Sequence, residues 1–261
     1  MSVSGQTRPC FEIKNLDSRI TKWDSMEDEK QVPTDVAYWH DIYRVTDDLL
    51  RPGISVDESQ RMYDQWAKMG TYDALAVESK YYTAHDQIIL GILSMYPVRR
   101  DIRILDVGAG TGLVGERLRN LGFERVDALD PSAEMLRSAA KKGVYERLIH
   151  SFFTNDPIKD VDEDTYDAIV MCGVCGPGAV PVEAFEEAVR IVKPGGHIFV
   201  CMRAENLEIC SEYNGRWQPF VTRLQQEGKW RLVSECKYPQ HYFHFDGLRL
   251  IYQVTKNERN I

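Results

Sequence analysis

The chain has 261 residues, 43% of them hydrophobic and 28% charged, with a formal net charge of −8. That length supports one large domain or two small ones, with a core that needs no disulfide staples. An acidic total argues against a nucleic-acid backbone as the main partner, because phosphates call for a basic face. No apolar run approaches the ~18 residues of a membrane-spanning helix.

Residues 1–33 are polar and mixed in charge and read as a mobile tail. Residues 34–97 carry a helical pattern and form an expected N-terminal extension. Within it Pro52-Gly53 breaks the run, and Asp57 opens a helix with Met62, Trp66 and Met69 on one stripe. A further helix carries His85, Ile88, Ile89, Ile92 and Leu93 and ends before Pro97. From residue 98 to 261 strands and helices alternate. Ile102 to Val107 is a short apolar run of the kind buried on both faces of a sheet. A glycine-rich turn leads to a helix with Val114, Leu118 and Leu121, closed by Gly122. The second strand ends at Asp130; Pro131 and Ser132 open the next helix, which Gly143 closes. Strands follow near 148–153, at 166–172 and at 197–202, with a helix over 182–192 and a turn at Lys193-Pro-Gly-Gly196 between the last two. A helix near 217–227 precedes two strands, 230–238 and 248–255, whose nine-residue separation suggests an antiparallel pair. The expected fold is α/β: a Rossmann-like, doubly wound, mostly parallel seven-stranded sheet with an antiparallel last strand, plus an N-terminal helical lid.

The strongest chemical feature is Ile104-Leu-Asp-Val-Gly-Ala-Gly-Thr-Gly112, between a strand and a helix. Gly108, Gly110 and Gly112 let the backbone turn tightly and approach a ligand, and the helix beyond offers free amides to an anionic group. Asp106, just ahead, is suited to an ammonium. Asp130, at the end of the next strand, is placed to accept hydrogen bonds from ribose hydroxyls. Pro131 and Met135 stand beside it, in position to flank an adenine, and Asn155 or Asp156 follows the third strand, in position to meet the adenine amino edge. Two cofactors compete for this pattern. Gly110-Thr-Gly-Leu-Val-Gly115 reads as GxGxxG, which suits a nicotinamide or flavin dinucleotide. Against it, the glycine nearest the strand is Gly108, whose frame puts Leu113 where a glycine belongs. An acid ahead of the turn would also repel a pyrophosphate.

Four segments together resemble the class I S-adenosylmethionine-dependent methyltransferases: Asp106-x-Gly-x-Gly-x-Gly112, Leu129-Asp-Pro-Ser-x-x-Met-Leu136, Tyr166-Asp-Ala-Ile-Val170 and Arg190-x-x-Lys-Pro-Gly-Gly196. Met62-Tyr-Asp-Gln-Trp-Ala67 with Tyr72-Asp73, Tyr145-x-Arg-Leu148 and Gly173-x-x-x-x-Gly-x-Val-Pro181 are similar to the Williams-Beuren region methyltransferase-like protein 27 family. The resemblance implies S-adenosylmethionine as cofactor and places Tyr63, Trp66 and Tyr72 in a lid over it. The packing alternative for these aromatics is a helix resting on the sheet edge. Cys172, after strand four, is assigned to the cofactor wall; Arg203, after strand five, and His241, in the last hairpin, to the acceptor.

A sulfonium methyl is already activated, so aligning a nucleophile behind it supplies most of the catalysis, and no catalytic base is assigned. The expected partner is a small-molecule or protein methyl acceptor. Cys172-x-x-Cys175 has metal-like spacing, and Cys201 is expected nearby. No second such pair or paired histidines complete a site, so no metal is expected. The first nine residues lack the apolar stretch of a signal peptide, and the six cysteines read as reduced thiols. The expected location is the cytoplasm, with the nucleus also open. The alternatives are a nicotinamide- or flavin-linked oxidoreductase and a non-catalytic cofactor-binding scaffold.

Overall fold

The computed structural model describes residues 48–73 and 82–256. The expected tail, the first part of the helical extension and the stretch 74–81 lie outside the described residues.

The described chain runs α1 (Val56–Met69), α2 (Ala84–Met95), β1 (Ile104–Val107), α3 (Leu113–Asn120), β2 (Val126–Asp130), α4 (Ala133–Lys142), β3 (Arg147–His150) and β4 (Tyr166–Cys172). It continues with α5 (Ala184–Ile191), β5 (Val192–Arg203), α6 (Asn206–Ile209), α7 (Trp217–Gln226), β6 (Trp230–Tyr242) and β7 (Phe245–Val254). The strands form one sheet in the order β3-β2-β1-β4-β5-β7-β6. β1 to β5 pair in parallel, while β7 runs antiparallel to β5 and to β6. The fold is thus the Rossmann-like α/β arrangement read from the sequence.

Alternation along the central strands divides the core into two layers. Ile104, Val170 and Phe199 face one layer with α2 and α3. Leu105, Val107, Ile169, Met171 and Val200 face the other, with Phe185 of α5 and Trp217 and Leu224 of α7. All four residues of β1 and all five of β2 are buried, as in a sheet covered on both sides.

Four boundaries differ from the expectation. The helix α2, grouped with the lid, is buried along Ile88, Ile89 and Ile92 against the sheet. It is therefore a core helix, and only α1 and its neighbours project over the site. α1 starts one residue earlier than expected because Ser55, not Asp57, caps it, accepting a hydrogen bond from Glu58 N at 3.2 Å. Lys193-Pro-Gly-Gly196 lies inside β5 as a bulge, where the register jumps from Tyr166↔Val192 to Ala168↔His197. The last hairpin is longer than the alternation predicts: its strands reach Tyr242 and Phe245, past a register shift between Tyr238 and Tyr242, with Gln240 at φ 56°.

Candidate active site

The carboxyl ends of β1, β2, β4 and β5 converge on one cavity of about 510 Å³. This is where an open α/β sheet holds its ligands. β1 runs into the glycine turn. Gly108 at φ 65° and Gly110 at φ 55° occupy the left-handed region that side-chain-bearing residues avoid. The amides of Gly108 and Ala109 both donate to Leu129 O, at 2.7 and 3.1 Å, which ties the turn to β2. A methyl group on Gly108 would stand 2.1 Å from Val174 Cγ1, so only glycine brings this turn so close to the loop after β4.

Asp130, the last residue of β2, joins the turn to the next helix. Its Oδ2 accepts Gly110 N–H and its Oδ1 accepts Ser132 N–H, both at 2.8 Å. Burial pushes its carboxyl up to about 6, against the pull of the Ser132 and Gly110 amides. Ser132 caps α4 through Met135 N at 3.0 Å. Asp106 is almost fully buried and accepts the Tyr145 hydroxyl proton at 2.7 Å. Burial, opposed by that hydrogen bond and assisted by the nearby Asp130 charge, raises it to about 7.

Of the residues singled out from the sequence, Tyr63, Trp66, Tyr72, Gly108, Gly110, Asp130, Pro131, Met135, Cys172, Arg203 and His241 line the cavity. Asp106 and Gly112 are not on its wall. Asn155 and Asp156 are exposed and also off it; their neighbours Phe152, Phe153 and Thr154 line it instead. That segment leaves β3 at His150, earlier than the apolar run predicted, so the inward-facing positions fall two to three residues sooner.

The lid is an aromatic cluster. Trp66, 3% exposed, meets Tyr72 edge-on at 4.9 Å and stacks with Tyr63 at 6.4 Å, and Tyr242 and Phe243 of the hairpin join them. Tyr72 covers the glycine turn: a methyl group on Gly110 would meet its hydroxyl at 3.8 Å. Polar contacts hold α1 on the start of α4. Gln60 Nε2 donates to Pro131 O at 2.9 Å, Ser132 Oγ donates to Asp64, and Lys68 pairs with Glu134 at 3.6 Å.

Two contributors were given no role by the sequence: Tyr82, which no motif marks, and Tyr145, which a motif names without a partner. Tyr82 packs edge-on against His85 at 4.7 Å and His241 at 5.8 Å and lines the cavity. Tyr145 fills a notch over Gly115, where a methyl group would lie 2.3 Å from its ring. The third glycine of the GxGxxG frame therefore makes room for the partner of Asp106. Gly115→Ala is expected to lower stability by ~1–3 kcal/mol through overpacking, although alanine is the better helix former by ~1 kcal/mol. Urea denaturation reads this directly, and a stabilised variant would show that Tyr145 does not need the notch.

Cys172, Cys175, Cys201 and Cys210 are free thiols. Burial raises Cys172 well above the usual thiol range and pushes Cys175 and Cys201 to about 12. They stay protonated near neutrality, the form that neither attacks nor binds metal. Among the described residues no group of three or more His, Cys, Asp or Glu is placed to hold a metal ion, and no helix is long and apolar enough to cross a membrane.

S-adenosylmethionine fits the groups present. The Asp130 carboxylate uses one lone-pair direction per oxygen on the Gly110 and Ser132 amides and keeps capacity for two ribose hydroxyls. Met135, Pro131 and Phe153 form an apolar wall beside it for a purine.

A glycine turn, a buried acid at the end of the second strand and a sheet in this order build a Rossmann-like α/β site. Comparison with known proteins agrees: a family described as "Methyltransferase domain" matches residues 105–200. Methyltransferase-like protein 27 of Homo sapiens is 35% identical over 127 residues, 49% of this chain and 50% of that protein. The ubiquinone biosynthesis O-methyltransferase of Alkalilimnicola ehrlichii is 28% identical over 144 residues, covering 49% and 58%. The chain thus spans about half the length of the curated relatives it matches. In structure it is similar to the N-methyltransferase NodS of Bradyrhizobium japonicum WM9, solved in complex with S-adenosyl-L-homocysteine. That likeness has a TM-score of 0.52 at 14% identity, over 74% of this chain and 98% of the other, and shows the shared fold.

Proposed function

We propose that this protein transfers a methyl group from S-adenosylmethionine to a small-molecule acceptor. The observation that carries the reading is one continuous cavity. It runs from Asp130 and the glycine turn, past Cys172 at the end of β4, to Arg203 and His241, beneath the Tyr63/Trp66/Tyr72 lid. In this reading Asp130 grips the ribose, Asp106 with Tyr145 stabilises the ammonium end from beneath the turn, and Tyr72 covers the amino-acid tail. The cofactor supplies an electrophilic methyl on a positively charged sulfur. A cavity roofed by three aromatic rings admits a small molecule more readily than a folded protein surface.

The wall residues support catalysis by alignment. Burial holds Tyr72 and Tyr82 well above the usual phenol range, Cys175 near 12 and His241 near 3. None of these is tuned toward neutrality, where a general base works best. Positioning two reactants at contact is worth ~7–11 kcal/mol without a base.

The fully buried acid ahead of the turn and the use of Gly115 to seat Tyr145 both disfavour a pyrophosphate. Calorimetry with S-adenosylhomocysteine and with NADH tests the choice. Binding of the first and not the second is expected; NADH binding alone would overturn the reading. Transfer from a methyl-labelled donor to a metabolite extract then measures activity.

A further inference from the structure

Arg203 is the single arginine or lysine among the described residues lining the cavity. It ends β5, in register with Gly247 of β7. From Asp130 at the end of β2, the order β2-β1-β4-β5 sets it three strand spacings away, ~14 Å across the sheet. It therefore belongs to the far end of the cavity from the ribose site. Its side chain is 11% exposed, and its guanidinium lies 3.6 Å over the ring of Phe245. One terminal nitrogen pairs with Glu205, which is 36% exposed. The Nε–H is buried and has no hydrogen-bond partner. A buried, unpaired donor on a charged group costs free energy unless a ligand satisfies it. Met202, next to Arg203 in β5, lines the cavity, as do Tyr82 and Tyr242; Tyr82 packs edge-on against His241 at 5.8 Å and against Tyr242 at 6.0 Å. His241 stands in the same wall, 3% exposed, with Nδ1 2.6 Å from the Tyr238 hydroxyl.

We infer that the acceptor is a small carboxylic acid with an apolar or aromatic body, and that the Arg203 guanidinium anchors its carboxylate. The planar fork of arginine matches two carboxylate oxygens, and Nε–H with a terminal N–H forms such an edge. The stack on Phe245 fixes the plane of the fork, and Met202 with the two tyrosine rings takes the body of the acid. The held carboxylate is an anchor rather than the methylated atom, because hydrogen bonds to a cation withdraw the electron density that attack on the sulfonium needs. The nucleophile therefore lies elsewhere on the same molecule. Glu205 holds the guanidinium when no acid is bound and competes with it.

This inference rests on the methyl-donor reading for its assignment to the acceptor half, and the two fail separately. S-adenosylhomocysteine binding is measured first by calorimetry. A graded series of ω-phenylalkanoic acids and their primary amides is then titrated into the protein saturated with it. The expected result is a preference of about tenfold or more for the acid over its amide at the best chain length. Arg203→Gln should reduce that preference to within about twofold while leaving S-adenosylhomocysteine affinity unchanged, and Arg203→Lys should retain part of it. Glu205→Gln, at a partly exposed position, should tighten acid binding about threefold by releasing the guanidinium, a gain that a merely structural arginine would not produce. Equal binding of acid and amide across the series, or a preference that survives Arg203→Gln, overturns the anchor while the donor site stands. Failure of S-adenosylhomocysteine to bind overturns the donor reading and the acceptor assignment with it.

Discussion

Asp130→Ala is expected to weaken S-adenosylhomocysteine binding by about 10²–10³-fold, the cost of two charge-assisted hydrogen bonds at ~1.5–2 kcal/mol each. The carboxylate also organises the site, since its two oxygens hold the Gly110 and Ser132 amides at 2.8 Å. Alanine leaves both N–H groups buried and loosens the turn against α4, so a loss of stability should accompany the loss of affinity. Asp130→Asn separates the effects. It keeps the shape and one acceptor, with its NH2 facing the other backbone donor, and should restore part of the stability but little of the affinity, because a neutral amide oxygen is the weaker partner for hydroxyls. Calorimetry and urea denaturation on the three proteins measure the two quantities. Unchanged affinity in Asp130→Ala would remove the ribose site and the cofactor assignment together.

Donor affinity is expected to fall roughly 10³-fold between pH 8 and pH 5. Two buried carboxyls set this window: Asp106, raised to about 7 chiefly by burial, and Asp130, raised to about 6 for the same reason. An ammonium over Asp106 and hydroxyls on Asp130 both favour the ionised carboxylate, so binding below pH 7 must first release protons. Calorimetry at pH 6 in buffers of different ionisation enthalpy should show a net release of about one proton or more per donor bound, and none at pH 8. Folding without ligand runs the other way. A carboxyl raised in the folded chain holds a proton that the unfolded chain has already lost. The free protein should therefore lose stability as pH climbs from about 4 through 7, while the donor-bound protein, whose carboxyls are ionised like those of the unfolded chain, should stay nearly level over most of that range. Asp106→Asn should reduce the proton release to the Asp130 share. A pH-independent affinity would show that neither carboxyl meets the donor.

Much of this site was legible in the chain because its chemistry is local. The strand–glycine–helix segment from Ile104 to Gly115 and the strand–acid–cap segment from Val126 to Met135 each build their part of the pocket from neighbours in sequence. Side-chain period, left-handed glycines and caps identify such segments without knowledge of the rest. The reading slipped where position depends on a bulge. Lys193 to Gly196 looks like a turn but stays within β5. Pro239 to His244 looks like a loop, yet the hairpin continues through its shifted register and delivers His241 and Tyr242 to the cavity.

The sequence by itself determined a doubly wound, mostly parallel sheet, the glycine turn after its first strand and the two acids, Asp106 and Asp130, that flank that turn. Each of these follows from periodicity and from backbone conformations that only certain residues adopt. Only the tertiary structure decided that α2 joins the core while α1 roofs the site, that Tyr145 reaches back to Asp106, and that the Arg203 guanidinium stacks on Phe245 with a buried, unpaired Nε–H. Those contacts join residues tens to more than a hundred positions apart. They are set by which strands become neighbours and by how two helices pack, and no short stretch of chain carries that information.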